Sequence, residues 1–528
     1  MANKNILLIE PGYRNKFPPL GLMKIASYHG QYGKRDNVKF IKGESDRSIL
    51  KVNWDRIYVT TLFTFEWKSI SESIDFALKI VHENASKVFV GGIAASLMHD
   101  KFVAESKWRG IRFIEGLLVD SPAKALQLDD FEEDLYSDDV NSTPIEDLVP
   151  DYSILDQIKD QYVYPVHDAY FVYASRGCVR KCHFCGVPKL EGDQRDTQSI
   201  TGLVQAIERQ YGPKRDLMLM DNNIVASPNY KNIIAEIRDL GFTPGAKLSR
   251  PGRPPVQRRV DFNQGVDARI LCKSIMYLKE MSTICIKPLR IAFDHIGLRM
   301  PYETAIRMAH EVGLHSLSNY MLYNFHDTPS DLYQRMMLNI DLNEELGIRI
   351  FSFPMRYQPT DRWDRSYVGE NWTRYQLRSF QIILQATHGI VSGAPNFFRQ
   401  AFGNSPEEFE ALLLCPQHML FNRFWYRDFG GRAELEEFGL LFKKLSENER
   451  KELLCLLSSS GPSAYARLIG QASSSNLNRI LNFYLPLSTE TEKEIWNFMK
   501  SHKGSVLTEE LNIPDDERVE DAGLTACV

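Results

Sequence analysis

The sequence predicts an α/β protein in three regions. Apolar runs of strand length alternate with amphipathic helical segments over residues 1–125 and again over 166–370. An acidic stretch at 126–165 separates the two blocks, and beyond Asn371 helical patterns continue without comparable strands. At 528 residues, and at roughly 150 residues per domain, the chain has room for about three or four domains. It is 43% hydrophobic and 25% charged, with 32 glycines and 25 prolines. That balance excludes a mostly disordered chain, a collagen-like fibre and a small disulfide scaffold. Lys and Arg number 63 against 68 Asp and Glu, a formal net charge of −5, so no global basic excess points to nucleic acid or anionic lipid. The apolar run within Met1–Glu10 is too short for a signal peptide, and no stretch of about 18 apolar residues occurs. The expectation is a cytoplasmic protein with no membrane partner.

In the first block, Asn5–Ile9 reads as a buried strand, and Pro18-Pro19-Leu20-Gly21-Leu22 opens a helix through about Tyr32. Arg56–Thr60 is a second strand and Ile70–Val81 an amphipathic helix; Lys87–Gly92 and Ile111–Glu115 complete the series. Strands alternating with helices imply parallel crossovers, hence a Rossmann-like domain over 1–125. Asp129–Asp151 holds ten acidic residues and no basic one, and reads as part of a solvated linker spanning 126–165. Strands then recur at Ala169–Ala174, Leu217–Met220, Val260–Gly265, Leu289–Phe293, Leu317–Tyr323 and Ile350–Pro354, with helical patterns between them. Six β/α units in series describe a partial (β/α)6 barrel of the TIM type over 166–370. A helical C-terminal region covers 371–528, and its last residues, acidic and small polar, are expected to fray.

Three of the eight cysteines fall within eight positions, in Gly177-Cys178-Val179-Arg180-Lys181-Cys182-His183-Phe184-Cys185-Gly186. This loop directly follows the first strand of the second block. The other five cysteines are scattered, which fits one metal cluster in a reducing compartment better than a disulfide framework. Thiolates are the ligands of iron–sulfur clusters, and a short loop can wrap three of them around one cube. A [4Fe–4S] cube has four irons, so Cys178, Cys182 and Cys185 leave one open, as an open position marks catalytic zinc. A zinc knuckle would need a fourth ligand at short spacing, and His183, between two of the cysteines, is badly placed to be one.

The pattern Cys-x3-Cys-x-aromatic-Cys, with Phe184 at the aromatic position, resembles that of the radical SAM superfamily. The resemblance implies that the open iron chelates S-adenosylmethionine. One electron then cleaves that cofactor to methionine and a 5′-deoxyadenosyl radical, which abstracts hydrogen from an unidentified substrate. A reductase, or a flavodoxin or ferredoxin, would donate the electron. Later strand ends carry the likeness further. Met220-Asp221-Asn222-Asn223 is similar to the family's Asp/Asn-rich turn at S-adenosylmethionine, and an Asx-turn or helix cap is the plainer alternative. Phe262-Asn263-Gln264-Gly265-Val266-Asp267-Ala268-Arg269 is similar to the family's Asn-Gln-Gly-x-Asp-x-Arg stretch. Phe184, Asp221, Asn222, Gln264, Asp267 and Arg269 are therefore the expected cofactor-binding residues. Arg269 suits a carboxylate by its bidentate geometry; an ordinary Asp267–Arg269 pair is the alternative.

The fifth strand ends in Tyr323-Asn324-Phe325-His326-Asp327-Thr328-Pro329, where many relatives carry Gly-x-Pro-Gly-Glu-Thr; both glycines are absent here. The sixth ends in Phe353–Pro359, which departs from the family's Pro-x-Pro-Gly-Thr. His295, His326 and Arg356 are the substrate-side candidates for catalysis, each with a satisfied structural role as the alternative.

A Rossmann-like domain before such a barrel resembles the cobalamin-binding class, as do Pro18–Leu22 and Gly91-Gly92. Domains of that class that ligate cobalt carry Asp-x-His-x-x-Gly after the first strand, and Glu10–Phe17 contains no His. Cobalamin as a further cofactor and an empty scaffold both stand open. A bound corrinoid would lie between the C-terminal edge of the sheet and the mouth of the barrel, with Gly91 and Gly92 allowing close approach. The alternative is that the two glycines only make the turn into the next helix. Cobalamin-dependent methyl transfer is the second functional reading. A third, from another class, is a nucleic-acid-binding module with a structural cluster. It rests on residues 245–260, which hold Lys247, Arg250, Arg253, Arg258 and Arg259 with three prolines and no acid. Five such cations could meet phosphates, but the aromatic interleaving that single strands favour is missing. A solvated loop pairing with the acidic linker is the plainer reading.

Overall fold

A computed structural model describes residues 3–43, 47–118, 144–386, 389, 391, 393–459 and 462–501. Most of the acidic run, and the end expected to fray, lie outside the described residues. The N-terminal sheet has five parallel strands: β1 (Asn5–Glu10), β2 (Asn37–Lys42), β3 (Arg56–Thr61), β4 (Val88–Gly92) and β5 (Arg112–Phe113), in the order β2-β1-β3-β4-β5. Helices cover both faces, and the apolar run of β1 shows why. Ile6 and Leu8 pack in one core with Leu22, Met23 and Ala26 of α1 (Leu20–His29). Leu7 and Ile9 pack in another with Ile70, Ile74 and Ala77 of α2 (Trp67–Ile80). Each such side chain contributes roughly 1.5–3 kcal/mol by leaving water, so a strand buried on both faces reads as a continuous apolar run. The strand β2 is not among those expected from sequence.

Residues 144–165 correct the expected linker. Ile145, Tyr152, Ile154, Ile158 and Tyr164 are buried in the main core, and Asp151 N–H donates to Met23 O at 2.9 Å. The segment is a strap across α1, not a solvated spacer.

The second block contains β6 (Ala169–Val172), the short β7 (Ser175–Arg176) and β8 (Arg195–Asp196), β9 (Asp216–Leu219), β10 (Lys247–Arg250), β11 (Arg253–Gln257), β12 (Arg259–Phe262), β13 (Leu289–Ala292), β14 (Ser316–Tyr323) and β15 (Arg349–Arg356). Six of them, at the six expected positions, form two parallel sheets in the orders β12-β9-β6 and β13-β14-β15. Parallel bridges Val260–Ile286 and Val266–Ile291 join the two. Across the same junction, Arg290 on β13 donates from Nε and Nη2 to both oxygens of Asp261 on β12, at 2.7 and 2.8 Å. The intervening helices include α3 (Ile200–Tyr211), α4 (Tyr230–Asp239), α5 (Arg299–Glu311) and α6 (Pro329–Leu346). Thr328 and Asp331 form a capping box that starts α6.

The basic stretch 245–260 is built largely of strand. Strands β10 and β11 pair as an antiparallel hairpin. Arg250 pairs with Asp168 at 2.6 Å and Arg259 with Asp216 at 3.3 Å. Arg250 and Arg259 thus serve carboxylates of the fold, and most of the acidic stretch lies outside the described residues. Beyond Asn371 the described residues are helical, apart from a bridge between Val391 and Ser352. No helix among the described residues is long and apolar enough to cross a membrane.

Candidate active site

The cysteine loop leaves β7 at the C-terminal end of β6. Gly177 has φ +73°, and a Cβ there would lie 2.2 Å from the carbonyl oxygen of Asp193, so the close return of the chain at Gly192–Asp193 requires glycine. Cys178 N–H donates to Gly192 O at 3.3 Å, and Cys185 N–H to Cys182 O at 3.1 Å. Two backbone amides are aimed at sulfur: Arg180 N–H at Cys178 Sγ (3.3 Å) and Val187 N–H at Cys185 Sγ (3.4 Å). The Asn223 side-chain amide reaches Cys178 Sγ at 4.0 Å, while its buried Oδ1 has no partner. All three thiols are free and half-buried. Burial pushes the Cys185 thiol up to about 11 and raises that of Cys182. Iron reverses such a preference, since a coordinating thiol is deprotonated outright. Among the described residues no three His, Cys, Asp or Glu side chains are set to hold a single metal ion. The N–H donors aimed at sulfur match the hydrogen bonds that surround cluster thiolates. The donor set fits a [4Fe–4S] cluster held by Cys178, Cys182 and Cys185.

Behind the loop lies a hydrogen-bonded frame. Asp221 is buried, and its carboxylate accepts from the Ala174 and Ser175 amides and from Ser175 Oγ, the last at 2.7 Å. Burial pushes its carboxyl up to about 6 against those hydrogen bonds. Asn222 donates to Glu191 at 2.8 Å. Both residues, expected at the cofactor, are committed to holding the loop. These bonds reach residues distant in sequence, so neither side chain forms the Asx-turn or helix cap of the plainer alternative.

At the end of β12, Asp267 caps a short helix and accepts from Arg269 N–H at 2.9 Å, from Arg269 Nε at 2.7 Å and from Arg180 Nε at 2.7 Å. Burial works against its charge, but the Arg269 and Arg180 hydrogen bonds hold the carboxyl below its ordinary range. Arg269 is half-buried, and its charge favours the Cys182 thiolate against burial. Gln264 is half-buried on the same turn.

Phe184 meets Phe325, at the end of β14, with ring centroids 5.8 Å apart, and Phe325 meets Tyr357, just beyond β15, at 4.6 Å. Asp294, at the end of β13, lies in the electrostatic field of Arg335 and Arg269 and acts on both Cys182 and Cys185. Burial pushes its carboxyl up to about 6. Sequence reasoning passed over Asp294 in favour of its neighbour. Its place two residues beyond a strand end was the available signal.

The substrate-side candidates are not drawn together. His295 is exposed. His326 is exposed and pairs with Glu370 at 3.3 Å. Arg356 donates from Nη2 to the carbonyls of Arg365 and Tyr367 at 3.2 and 3.0 Å, so it braces the following loop. Asn324, in the turn after β14, adopts φ +68°.

The C-terminal edge of the N-terminal sheet is turned towards this site. Lys189, just after the cysteines, donates to Leu97 O at 2.5 Å, and Arg365 pairs with Glu66 at 3.3 Å. At that edge Gly92 has φ +104°, and a Cβ there would lie 2.4 Å from Thr61 O. The packing of β4 on β3 therefore requires this glycine, and it caps the next helix.

No protein-family model and no curated protein matches the chain. Solved structures similar to it include radical S-adenosylmethionine enzymes. One is the radical S-adenosylmethionine methyltransferase TsrM from Kitasatospora setae, with cobalamin and a [4Fe–4S] cluster bound, at 14% identity over 68% of this chain and 77% of that one, TM-score 0.45. Another is the cobalamin-dependent S-adenosylmethionine radical enzyme OxsB, at 13% identity over 95% and 75%, TM-score 0.47.

Proposed function

We propose that the chain is a radical SAM enzyme built on a partial (β/α)6 barrel. The observation that carries this reading is the cysteine loop itself. Three thiols of the Cys-x3-Cys-x-Phe-Cys pattern stand at the end of the first of six parallel strands, with backbone N–H donors on Cys178 and Cys185. A [4Fe–4S] cluster held by Cys178, Cys182 and Cys185 would, with S-adenosylmethionine and one electron, supply a 5′-deoxyadenosyl radical for hydrogen abstraction. The chain's own residues hold and shield. Cys178, Cys182 and Cys185 ligate, and the amides of Arg180 and Val187 stabilise thiolate charge. Asp267 orients Arg269 towards a carboxylate, and Gln264 offers an unbranched amide to ribose. Phe184, Phe325 and Tyr357 keep water from the radical. An external reductase, flavodoxin or ferredoxin donates the electron. Anaerobic reconstitution tests the reading: about four irons per chain and 5′-deoxyadenosine from S-adenosylmethionine are expected. Iron retained by the triple Cys→Ala variant would overturn it.

Cobalamin-dependent methyl transfer is the second reading, favoured by the parallel sheet whose C-terminal edge faces the cysteine loop. The loop Glu10–Phe17 supplies no His to cobalt, and Glu10 and Asn15 already bond each other and Lys42. A corrinoid there would have no histidine ligand from this loop. Equilibrium dialysis with hydroxocobalamin decides the matter; absence of binding removes methyl transfer of this kind.

A further inference from the structure

A chain of four alternating charges runs from the N-terminal domain to the cysteine loop. Lys24 on α1 donates to Glu146 Oε1 at 2.9 Å. The same Glu146 oxygen accepts from Arg176 Nη2. Arg176 Nη1 donates to Glu191 Oε1 at 3.0 Å. Glu191 Oε2 accepts from Gly177 N–H and from the Asn222 side chain, both at 2.8 Å. All four side chains are withdrawn from water: Lys24 and Arg176 are 4% and 6% exposed, Glu146 and Glu191 13% and 11%. The Arg176 guanidinium also lies over the Tyr173 ring, 3.3 Å from its centroid.

Charges this deep are worth little as stabilisers against apolar residues of the same shape, but removing one partner strands the other. Their value here is directional. Gly177 immediately precedes Cys178, and its amide is one of the few fixed points of the loop. Glu191 fixes it, Arg176 orients Glu191, and Glu146 orients Arg176. Glu146 itself is held by a helix of another domain.

We infer that Glu146 and Arg176 are positioning residues. They set the conformation of the cysteine loop through Glu191, and through Lys24 they make that conformation dependent on the N-terminal domain. The inference rests on the proposed function only for what the loop holds; the coupling is a property of the apo chain.

The test is hydrogen–deuterium exchange by mass spectrometry on the full-length apo protein. In Glu146→Gln, the peptide spanning 175–192 is expected to exchange at least tenfold faster, while peptides of β12 and β14 are unchanged. Lys24→Met should act the same way from the far end, and Lys24→Arg, which keeps the cation, should restore wild-type exchange. After reconstitution, Glu146→Gln should give a reduced-cluster electron paramagnetic resonance spectrum of mixed environments where the wild type gives one. Unchanged exchange at 175–192 in Glu146→Gln or Lys24→Met protein with a wild-type thermal melt overturns the inference. Iron is measured on the same samples. A wild type that takes up none would overturn the function proposed above and leave the exchange result standing.

Discussion

Phe184 meets Phe325 edge to face, with ring planes at 75°. One residue belongs to the cysteine motif after β6, the other to the turn after β14. In the parallel array β12 adjoins β13, so β6 and β14 are not neighbours in either sheet. Their turns can touch only if the six strands curve round towards each other.

An aromatic pair contributes about 0.5–1.5 kcal/mol beyond its buried area. Phe184→Ala is therefore expected to load its cluster but lose it several-fold faster in air, with Phe184→Leu in between. The loss of cluster absorbance with time measures this. Equal lifetimes in wild type and Phe184→Ala would show that the ring does not shield the loop.

Asn324 stands in the left-handed region at φ +68°, which costs roughly 1–2 kcal/mol for most L-residues and least for glycine and asparagine. Its side chain also accepts from Gly369 N–H at 2.8 Å and donates to the carbonyls of Tyr357 and Tyr367 at 3.1 and 3.3 Å. Asn324→Gly loses the hydrogen bonds alone, and Asn324→Ala loses them and adds strain. Urea unfolding should rank wild type above Gly above Ala, with about 1 kcal/mol between the two variants. The reverse order of the variants would contradict the backbone reading.

The six strands were legible because each buries an apolar run between a helix layer and its neighbours. The edge strand β2 was not: Lys39 and Lys42 interrupt its pattern, as charges often do at sheet edges, although Phe40 and Ile41 are buried. Residues 144–165 misled for a different reason. A count of acids cannot see that Glu146 meets Lys24 and Arg176, which are distant in sequence. Arg356 was not legible, because its bonds to the carbonyls of Arg365 and Tyr367 depend on how the following loop folds back. Among the site residues, the cysteines were legible from spacing alone. Asp294 was marked only by its place beyond a strand end, a mark it shares with His295.

His29 gives a pH dependence with a definite sign. It is buried, with Nδ1 against Asp36 at 2.9 Å and Nε2 against the Tyr58 hydroxyl at 3.1 Å. Burial holds it down to about 4 from 6.5, despite the Asp36 hydrogen bond. The unfolded chain thus binds this proton more tightly. Its contribution is complete above pH 6.5 and is lost as pH falls towards 4, up to about 3 kcal/mol in all. Urea midpoints of the N-terminal domain should fall between those limits, and His29→Gln should flatten the slope. The same slope in the variant would assign the acid sensitivity to other groups.

The last prediction separates holding the cluster from holding its ligand. Asp267 accepts from both Arg180 and Arg269, yet the two arginines come from different places. Arg180 lies within the cysteine loop, and its Nε bond to Asp267 ties that loop to the end of β12. Arg269 sits on that strand end, and its Nε bond to the same carboxylate leaves the rest of the guanidinium beside Cys182. Removing Arg180 should loosen the loop, so that Arg180→Ala retains less iron on gel filtration while its loaded fraction binds S-adenosylmethionine within about threefold of wild type. Removing Arg269 should do the opposite. A hydrogen bond to a charged group contributes about 1.5–3 kcal/mol, so Arg269→Ala should weaken S-adenosylmethionine binding by roughly 10- to 150-fold at near-normal iron. Gln264→Ala, which removes one neutral amide worth about 0.5–1.5 kcal/mol, should weaken it by roughly 2- to 12-fold. Titration calorimetry on anaerobically reconstituted protein, alongside iron analysis of the same samples, reads both quantities. Unchanged affinity in Arg269→Ala would take that residue out of the site, and iron loss in Arg269→Ala but not in Arg180→Ala would reverse the two assignments.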